Sequence, residues 1–159
     1  MVQKADKKPK ALVLGVGAER GIGGGVSKLF AKNGHHVLVA GRTADKIGKV
    51  VEAIGRSGGS ASPVTVDGTK EDEVIRLFDK AMADDADGTP ADLLVFNMGN
   101  NAAVDFREMT AQHFEDSWRV GCFAGFLFGR EAMRRLARSE EHTSELQSHL
   151  NLVCRLLLE

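Results

Sequence analysis

Tyrosine is absent from the 159 residues, and no lysine follows Lys80. A reaction that needs a tyrosine phenol as its acid or base therefore cannot run on these residues alone. The only cysteines, Cys122 and Cys154, have no metal-like spacing and cannot form a disulfide framework. The sequence thus predicts no metal site.

Long apolar runs are also missing. The longest are only a few residues, which predicts no membrane span. The basic segment 1–10 is not followed by the long apolar stretch that a signal peptide has. The formal net charge is −1 without a strong basic region, which argues against nucleic acid or a membrane surface as a partner. We therefore expect a soluble, cytoplasmic protein.

The composition that is present, 43% hydrophobic and 27% charged residues, suits one domain with a real core. All 18 glycines fall between Gly15 and Gly129. This uneven distribution marks a boundary in the C-terminal part of the chain, and we divide the chain into a polar segment, residues 1–9, a domain, residues 10–137, and a tail, residues 138–159.

Four short apolar runs predict buried strands, and a helical apolar spacing follows each of them. The predicted strands are residues 11–14, 37–40, 64–66 and 93–96. Thr43, Thr69 and Thr110 stand where they could cap the second, third and fourth helices. Strands that alternate with helices predict an α/β fold, a doubly wound parallel sheet with helices on both faces.

The fourth predicted helix carries large apolar residues at intervals of four. They are Phe114, Trp118, Cys122 and Phe126, with Phe123 and Leu127 beside them. A face packed on the core and an interface between subunits explain this stripe equally well, so both interpretations stay open.

The connection between the first strand and the first helix is rich in glycine, with Gly15, Gly17, Gly21 and Gly23. A phosphate reaches backbone N–H groups only where side chains do not block it, and a helix N-terminus adds a favourable dipole. Ligands of parallel sheets bind at the carboxyl ends of the strands, where this loop is expected. The missing Gly-Lys-Ser/Thr sequence argues against an ATP-binding P-loop.

Four motifs carry a family resemblance: ALVLGVGAERGIG from Ala11, VAGR from Val39, VDG from Val66 and VFNMG from Val95. In these motifs residues 10–137 resemble the N-terminal half of a short-chain dehydrogenase/reductase. The resemblance implies a truncated Rossmann-type sheet of about four strands. It also implies a fragment of an oxidoreductase that transfers hydride between a nicotinamide and a carbonyl or secondary alcohol.

The residues at the end of the second strand favour NADP(H) and leave NAD(H) as the alternative. An acidic residue there binds the 2′-hydroxyl of NAD, whereas a 2′-phosphate needs cations. Gly41 and Arg42 occupy these positions, and Arg20 precedes Gly21. A guanidinium suits a phosphate, and the alternative is that both arginines are solvated loop residues.

The remaining site residues follow from the resemblance alone. It places the pyrophosphate at Gly21, Ile22 and Gly23, with either Gly15 or Gly17 as the first glycine of the motif. It implies that Asp67 binds the adenine amine, for which a turn or cap aspartate is the alternative. By the same resemblance, Asn97 ties neighbouring strands and Gly99 lets the backbone approach the cofactor ribose.

The family's catalytic serine, tyrosine and lysine are expected from a fifth strand and its helix, and the chain contains no Tyr-x-x-x-Lys. The family's helix asparagine would fall near Gly121. We therefore predict no catalytic residue in this chain. A non-catalytic dinucleotide-binding or regulatory module is the alternative, and a methyltransferase is weaker because Gly41 and Arg42 offer no acid for a cosubstrate ribose. A small carbonyl or alcohol is the expected substrate of a complete parent, whose oligomeric state stays open.

The tail has a resemblance of its own. RSEEHTSELQS from Arg138 and NLVCRLLLE from Asn151 resemble the in-frame translation of a sequencing-library adapter, with His149 and Leu150 at its variable barcode. We interpret residues 138–159 as non-native sequence joined to an incomplete domain. A genuine amphipathic helix, with Leu150, Val153 and Leu157 on one face, is the alternative.

Overall fold

The computed structural model describes residues 7–99 and 103–136. The predicted tail, residues 138–159, lies outside the described residues, as does most of the polar segment 1–9. The strands are β1 (Pro9–Leu14), β2 (His36–Gly41), β3 (Ser60–Thr65) and β4 (Thr89–Phe96). The helices are α1 (Ile22–Lys32), α2 (Ala44–Arg56), α3 (Glu71–Met82), α4 (Ala111–Trp118) and α5 (Ala124–Leu136), and a π-helical turn, Arg119–Phe123, joins the last two.

The four strands form one parallel sheet in the order β3-β2-β1-β4. Side chains of β1 alternate between two cores: Ala11 and Val13 pack in the α1–α2 layer, and Leu12 and Leu14 pack in the α3–α5 layer. Helices therefore cover both faces of the sheet. The predicted doubly wound α/β fold is confirmed.

The helical spacings of α2 and α3 place their apolar residues in these cores. Ile47, Val50 and Ile54 of α2 are buried, as are Leu77 and Phe78 of α3. Each such side chain contributes about 2 kcal/mol when it leaves water. These buried faces hold the helices against the sheet and so fix where the loops at its carboxyl edge lie.

Two of the predicted helix caps need correction. The N-cap of α3 is Lys70, because the Thr69 hydroxyl donates to Asp67 Oδ1 at 2.8 Å in a local turn. Thr43 is the N-cap of α2 but its side chain makes no capping bond. Thr110 caps α4 as predicted, with its hydroxyl accepting from the His113 N–H at 3.1 Å.

The third strand begins four residues earlier than predicted, at Ser60. It includes Pro63 and two serines, because β3 is the outer strand of the described sheet and needs neither an apolar run nor a full set of N–H donors. A search for continuous apolar runs detects such an edge strand poorly, because its residues are polar or alternate with apolar ones.

The apolar residues of the fourth predicted helix divide between the core, where Phe123 and Leu127 pack, and the surface. Phe114, Trp118 and Phe126 are exposed, whereas Leu127 and Phe128, which follow Phe126, are buried. The core-face interpretation of the stripe is therefore wrong for these three residues. The π-helical turn also interrupts the predicted continuous helix and changes the rotation between the faces of α4 and α5.

Candidate functional site

The loop after β1 is bonded to the end of β2. The N–H groups of Gly15 and Val16 both donate to the Ala40 carbonyl, at 3.0 and 2.9 Å. Gly15 has φ of +94°, a left-handed conformation that suits glycine. A Cβ built on Gly15 would lie 2.5 Å from the Asn97 carbonyl carbon and oxygen, so no larger residue fits there.

Asn97 joins the same loop to β4. Its backbone N–H donates to the Leu14 carbonyl at 2.8 Å, and its side-chain Nδ2 donates to the Gly15 carbonyl at 3.1 Å. A Cβ on Gly23 would approach that Nδ2 to 2.9 Å. These bonds join the loop after β1 to the end of β4, and the start of α1 packs against Asn97 without room for a side chain.

The N-terminus of α1 has the properties of an anion site. Gly21 is its N-cap, no side chain caps it, and no acidic residue stands in its first turn. Its first residue, Ile22, is 76% exposed. The unsatisfied N–H groups of a first turn, together with the helix dipole, favour a phosphate.

Gly15 and Gly17 differ in the space that each leaves for a side chain. Gly17 is exposed, with no atom within 4 Å of a built Cβ, whereas Gly15 tolerates no Cβ at all. The loop therefore requires glycine at Gly15 on steric grounds and does not at Gly17. Close contacts within the protein also exclude a side chain at the buried Gly23.

Gly41 ends β2 and touches the same loop. It is buried, and a Cβ built on it would lie 2.4 Å from the Val16 carbonyl oxygen. An acidic side chain therefore cannot replace Gly41 without a backbone shift. Arg42, the next residue, is exposed, as is Arg20 in the glycine loop.

Asp67 lies beyond the end of β3 and takes part in a local turn. Its Oδ1 accepts from the N–H of Thr69 at 3.0 Å and from its hydroxyl, while Oδ2 accepts no hydrogen bond from a described residue. Burial acts to raise the pKa of Asp67, but the Thr69 bonds and the charges of Arg42 and Lys70 outweigh it and lower the pKa. Asp67 is thus part of a turn and is held there by its Oδ1 bonds to Thr69.

Two predicted positions are less constrained. Gly99, after β4, is exposed and has open space around a built Cβ. Gly121, where the family's asparagine would fall, lies inside the π-helical turn. Within the described ranges, no group of three His, Cys, Asp or Glu side chains could hold a metal ion, and no helix is long and apolar enough to cross a membrane.

Sequence reasoning missed one contact of the glycine loop. Glu19 Oε1 lies 3.0 Å from Lys28 Nζ of α1, and the Glu19 carbonyl oxygen would lie 2.4 Å from a Cβ on Gly24. Glu19 and Lys28 are nine positions apart, beyond the helical spacings that a pattern search uses.

Comparison with known proteins decides the family. The short chain dehydrogenase family model matches residues 11–143, most of the chain and slightly beyond the predicted domain end at 137. The chain belongs to the short-chain dehydrogenase family. Its four-stranded Rossmann-type sheet is the fold of that family's solved members.

Relatives of this short-chain dehydrogenase include named reductases and dehydrogenases. It is 32% identical to a hydroxynaphthalene reductase-like protein of Metarhizium acridum over 77% of this chain and 44% of the relative. It is 29% identical to the gluconate 5-dehydrogenase of Gluconobacter oxydans over 79% of this chain and 48% of the relative.

A solved short-chain dehydrogenase from Rhodopseudomonas palustris is 31% identical, with a TM-score of 0.71 over 80% of this chain and 57% of that one. The chain thus spans about half the length of the curated relatives it matches.

Proposed function

We propose that this chain is the cofactor-binding half of an NADP(H)-dependent oxidoreductase that interconverts a small carbonyl compound and a secondary alcohol. The observation that carries the proposal is the junction of Gly15, Gly23 and Asn97, where three backbone segments meet too closely for side chains. Such a junction at the carboxyl edge of a parallel sheet leaves helix N–H groups open to a pyrophosphate.

The preference for NADP(H) rests on the end of β2. The position at which an acid would bind the ribose of NAD is Gly41, and its contact with the Val16 carbonyl leaves no space for a carboxylate. The exposed guanidinium groups of Arg42 and Arg20 supply the positive charge that a 2′-phosphate needs. NAD(H) is the alternative cofactor.

The other cofactor contacts are assigned by family membership together with position. We assign the pyrophosphate to the N-terminus of α1 at Gly21, Ile22 and Gly23, and the ribose to the backbone at Gly99. We assign the adenine amine to Asp67, whose Oδ2 is not engaged by a described residue. When bound, the nicotinamide supplies or accepts the hydride, and this chain's residues hold and orient the nucleotide.

The catalytic acid and base are not among these residues. The 159 residues hold no tyrosine and no lysine after Lys80, so they contain no Tyr-x-x-x-Lys. We infer that the chain alone binds the cofactor without turnover and that substrate, partner subunits and catalytic groups belong to a longer parent. The cytoplasmic location predicted from the sequence stays a prediction.

The missing tyrosine also favours a second candidate function, a non-catalytic dinucleotide-binding module. Genomic sequence after codon 137 separates the two. A further strand, a serine and a Tyr-x-x-x-Lys there support the reductase, whereas a gene that encodes residues 138–159 and then stops supports the module.

Isothermal titration of the chain with NADPH and NADH tests the cofactor proposal. We expect tighter binding of NADPH, and Arg42→Ala to weaken NADPH binding while changing NADH binding little. Arg76→Ala is the matched control, because it removes an exposed arginine of α3 whose carboxylate partner, Asp72, is also exposed. Equal binding of the two cofactors, or a loss for NADH as large as that for NADPH in Arg42→Ala, contradicts the proposal.

A further inference from the structure

Glu19 is held to α1 at two points. Its side-chain Oε1 lies 3.0 Å from the Lys28 ammonium, and its backbone carbonyl rests against Gly24, where a Cβ would approach the oxygen to 2.4 Å. Gly24 and Lys28 are one helical turn apart on α1, so they lie on the same face. The two contacts together direct the Glu19 carboxylate along the helix.

Arg20 follows Glu19 in the chain and has no hydrogen bond or ion pair with a residue in the described ranges. Glu19 is nonetheless within electrostatic reach of Arg20, and the charges of Lys28, Arg56 and Arg20 all act to lower the pKa of the Glu19 carboxyl, with Lys28 the largest cause. Arg56 has a carboxylate partner of its own, Glu52, at 3.9 Å. Glu19 is the acidic residue next to Arg20 in the loop, and Lys28 is the cation that pairs with its carboxylate.

We propose that Lys28 is a positioning residue for cofactor selection: by holding the Glu19 carboxylate against α1, it leaves the Arg20 guanidinium available to the 2′-phosphate of NADP(H). This role rests on the NADP(H) binding proposed above. Lys28 acts through Glu19 and needs no contact with the nucleotide.

The physical reason is competition between anions for one guanidinium. A Glu19 side chain released from Lys28 can reach the neighbouring Arg20, or stay near the phosphate as an unpaired negative charge. Either outcome weakens binding of a nucleotide that carries a 2′-phosphate, since like charges repel and a guanidinium engaged by a carboxylate offers fewer donors. A nucleotide with a 2′-hydroxyl loses little, because it carries no charge at that position.

Four variants of the whole chain separate this role from the simpler alternatives: Lys28→Met, Lys28→Arg, Glu19→Gln and the double variant Glu19→Gln/Lys28→Met. All change partly exposed side chains, and a thermal melt of each checks that the fold is retained. Titration calorimetry gives the dissociation constants for NADPH and NADH. Their ratio, NADH over NADPH, measures selectivity.

We expect Lys28→Met to weaken NADPH binding about fivefold, the scale of one exposed charge interaction, and to leave NADH binding nearly unchanged. Lys28→Arg should keep the wild-type ratio, because a guanidinium can also hold Glu19. Glu19→Gln should bind NADPH at least as tightly as the wild type, and the double variant should recover the affinity that Lys28→Met loses.

The pattern of results distinguishes this proposal from the proposed function. A wild type that does not prefer NADPH overturns the NADP(H) assignment and with it the role of Lys28. A wild type that prefers NADPH, combined with a Lys28→Met variant of unchanged selectivity, overturns only the role of Lys28. A double variant as weak as Lys28→Met also overturns it, because Lys28 would then contact the phosphate itself.

A cofactor-free readout checks the ion pair. Carboxyl-detected NMR titration of Glu19 should show a higher pKa in Lys28→Met than in the wild type, since Lys28 is the largest cause of its lowering. An unchanged Glu19 pKa would overturn the proposal, because Lys28 would then not hold this carboxylate in solution.

Discussion

The Asn97 side chain donates to the Gly15 carbonyl at 3.1 Å across 82 positions of sequence. At the same junction the Gly15 Cα is so close to the Asn97 backbone that a Cβ would lie 2.5 Å from it. These contacts join β1 to β4 and shape the loop that leads to the N-terminus of α1.

Replacing Gly15 by alanine should destabilise the fold by about 2–4 kcal/mol, because it combines a strained φ with a clash against backbone. Urea unfolding of both variants measures the effect. Gly17→Ala is the matched control: it meets open space at an ordinary φ and should change the free energy of unfolding by less than about 0.5 kcal/mol. Equal losses in the two variants would contradict the assignment of Gly15 as the constrained glycine.

Asn97→Asp should cost more stability than Asn97→Ala. Alanine removes the bond to the Gly15 carbonyl, a loss of about 1–2 kcal/mol, whereas an aspartate carboxylate cannot donate and also repels that carbonyl oxygen. Chemical denaturation of the two variants gives the comparison. An aspartate variant as stable as the wild type would show that this hydrogen bond is unimportant in solution.

The exposed and buried faces of α5 predict opposite outcomes for two adjacent residues. Leu127→Ala should cost about 2–4 kcal/mol, because Leu127 is 1% exposed in the α3–α5 core. Phe126→Ala should cost less than about 1 kcal/mol, because Phe126 is 56% exposed and contacts only Phe123 and Arg130 among ring and cation partners in the described ranges. A larger loss at Phe126 would mean that the stripe is covered in solution.

The buried His36 should make stability fall in acid. Its ring nitrogens contact Ser60 Oγ at 2.7 Å and Ser62 Oγ at 3.0 Å. Burial lowers the pKa of His36, and the charges of Lys10 and Lys80 lower it further, against the opposing effect of Asp87 and Asp85. The unfolded chain, with a histidine pKa of about 6.5, therefore binds more protons, so the free energy of unfolding should decrease as the pH falls below about 6.5 towards the lower folded-state pKa.

His36→Gln tests this pH dependence, because glutamine can keep a bond to a serine but does not titrate. Denaturant unfolding of both proteins from about pH 8 to pH 5 should show a smaller decrease in the variant. Identical slopes in the two proteins would mean that His36 does not contribute.

The core strands could be predicted from the sequence because each is a continuous apolar run, as in residues 37–40, which are buried on both faces of the sheet. The start of β3 could not, because an outer strand can consist of serines and a proline. The stripe of Phe114, Trp118 and Phe126 has a clear period, but a period does not show which face meets the sheet, and the π-helical turn changes the rotation within the helix.

The glycine loop could be predicted from its place between a strand and a helix, whereas the sequence did not show that Gly15 is sterically constrained and Gly17 is not. That difference depends on Asn97, which is distant in the chain and close only after β1 and β4 pair. The sequence also does not show that Gly41 has no space for a side chain, because the Val16 carbonyl fills that space only in the folded chain. Thr69 has the residue type of a helix cap, but Asp67 favours a turn, and the Thr69 hydroxyl donates to the Asp67 carboxylate in that turn instead of capping the helix.

The most direct test of the account is an NMR titration of the nitrogen-labelled chain with NADPH. We predict saturable shifts of the amides in residues 15–25 and at Arg42, and no comparable shifts at His36 or Gly88 on the opposite edge of the sheet. Saturable shifts confined to residues outside the glycine loop, or no shifts at millimolar NADPH, would contradict the claim that this loop binds the dinucleotide.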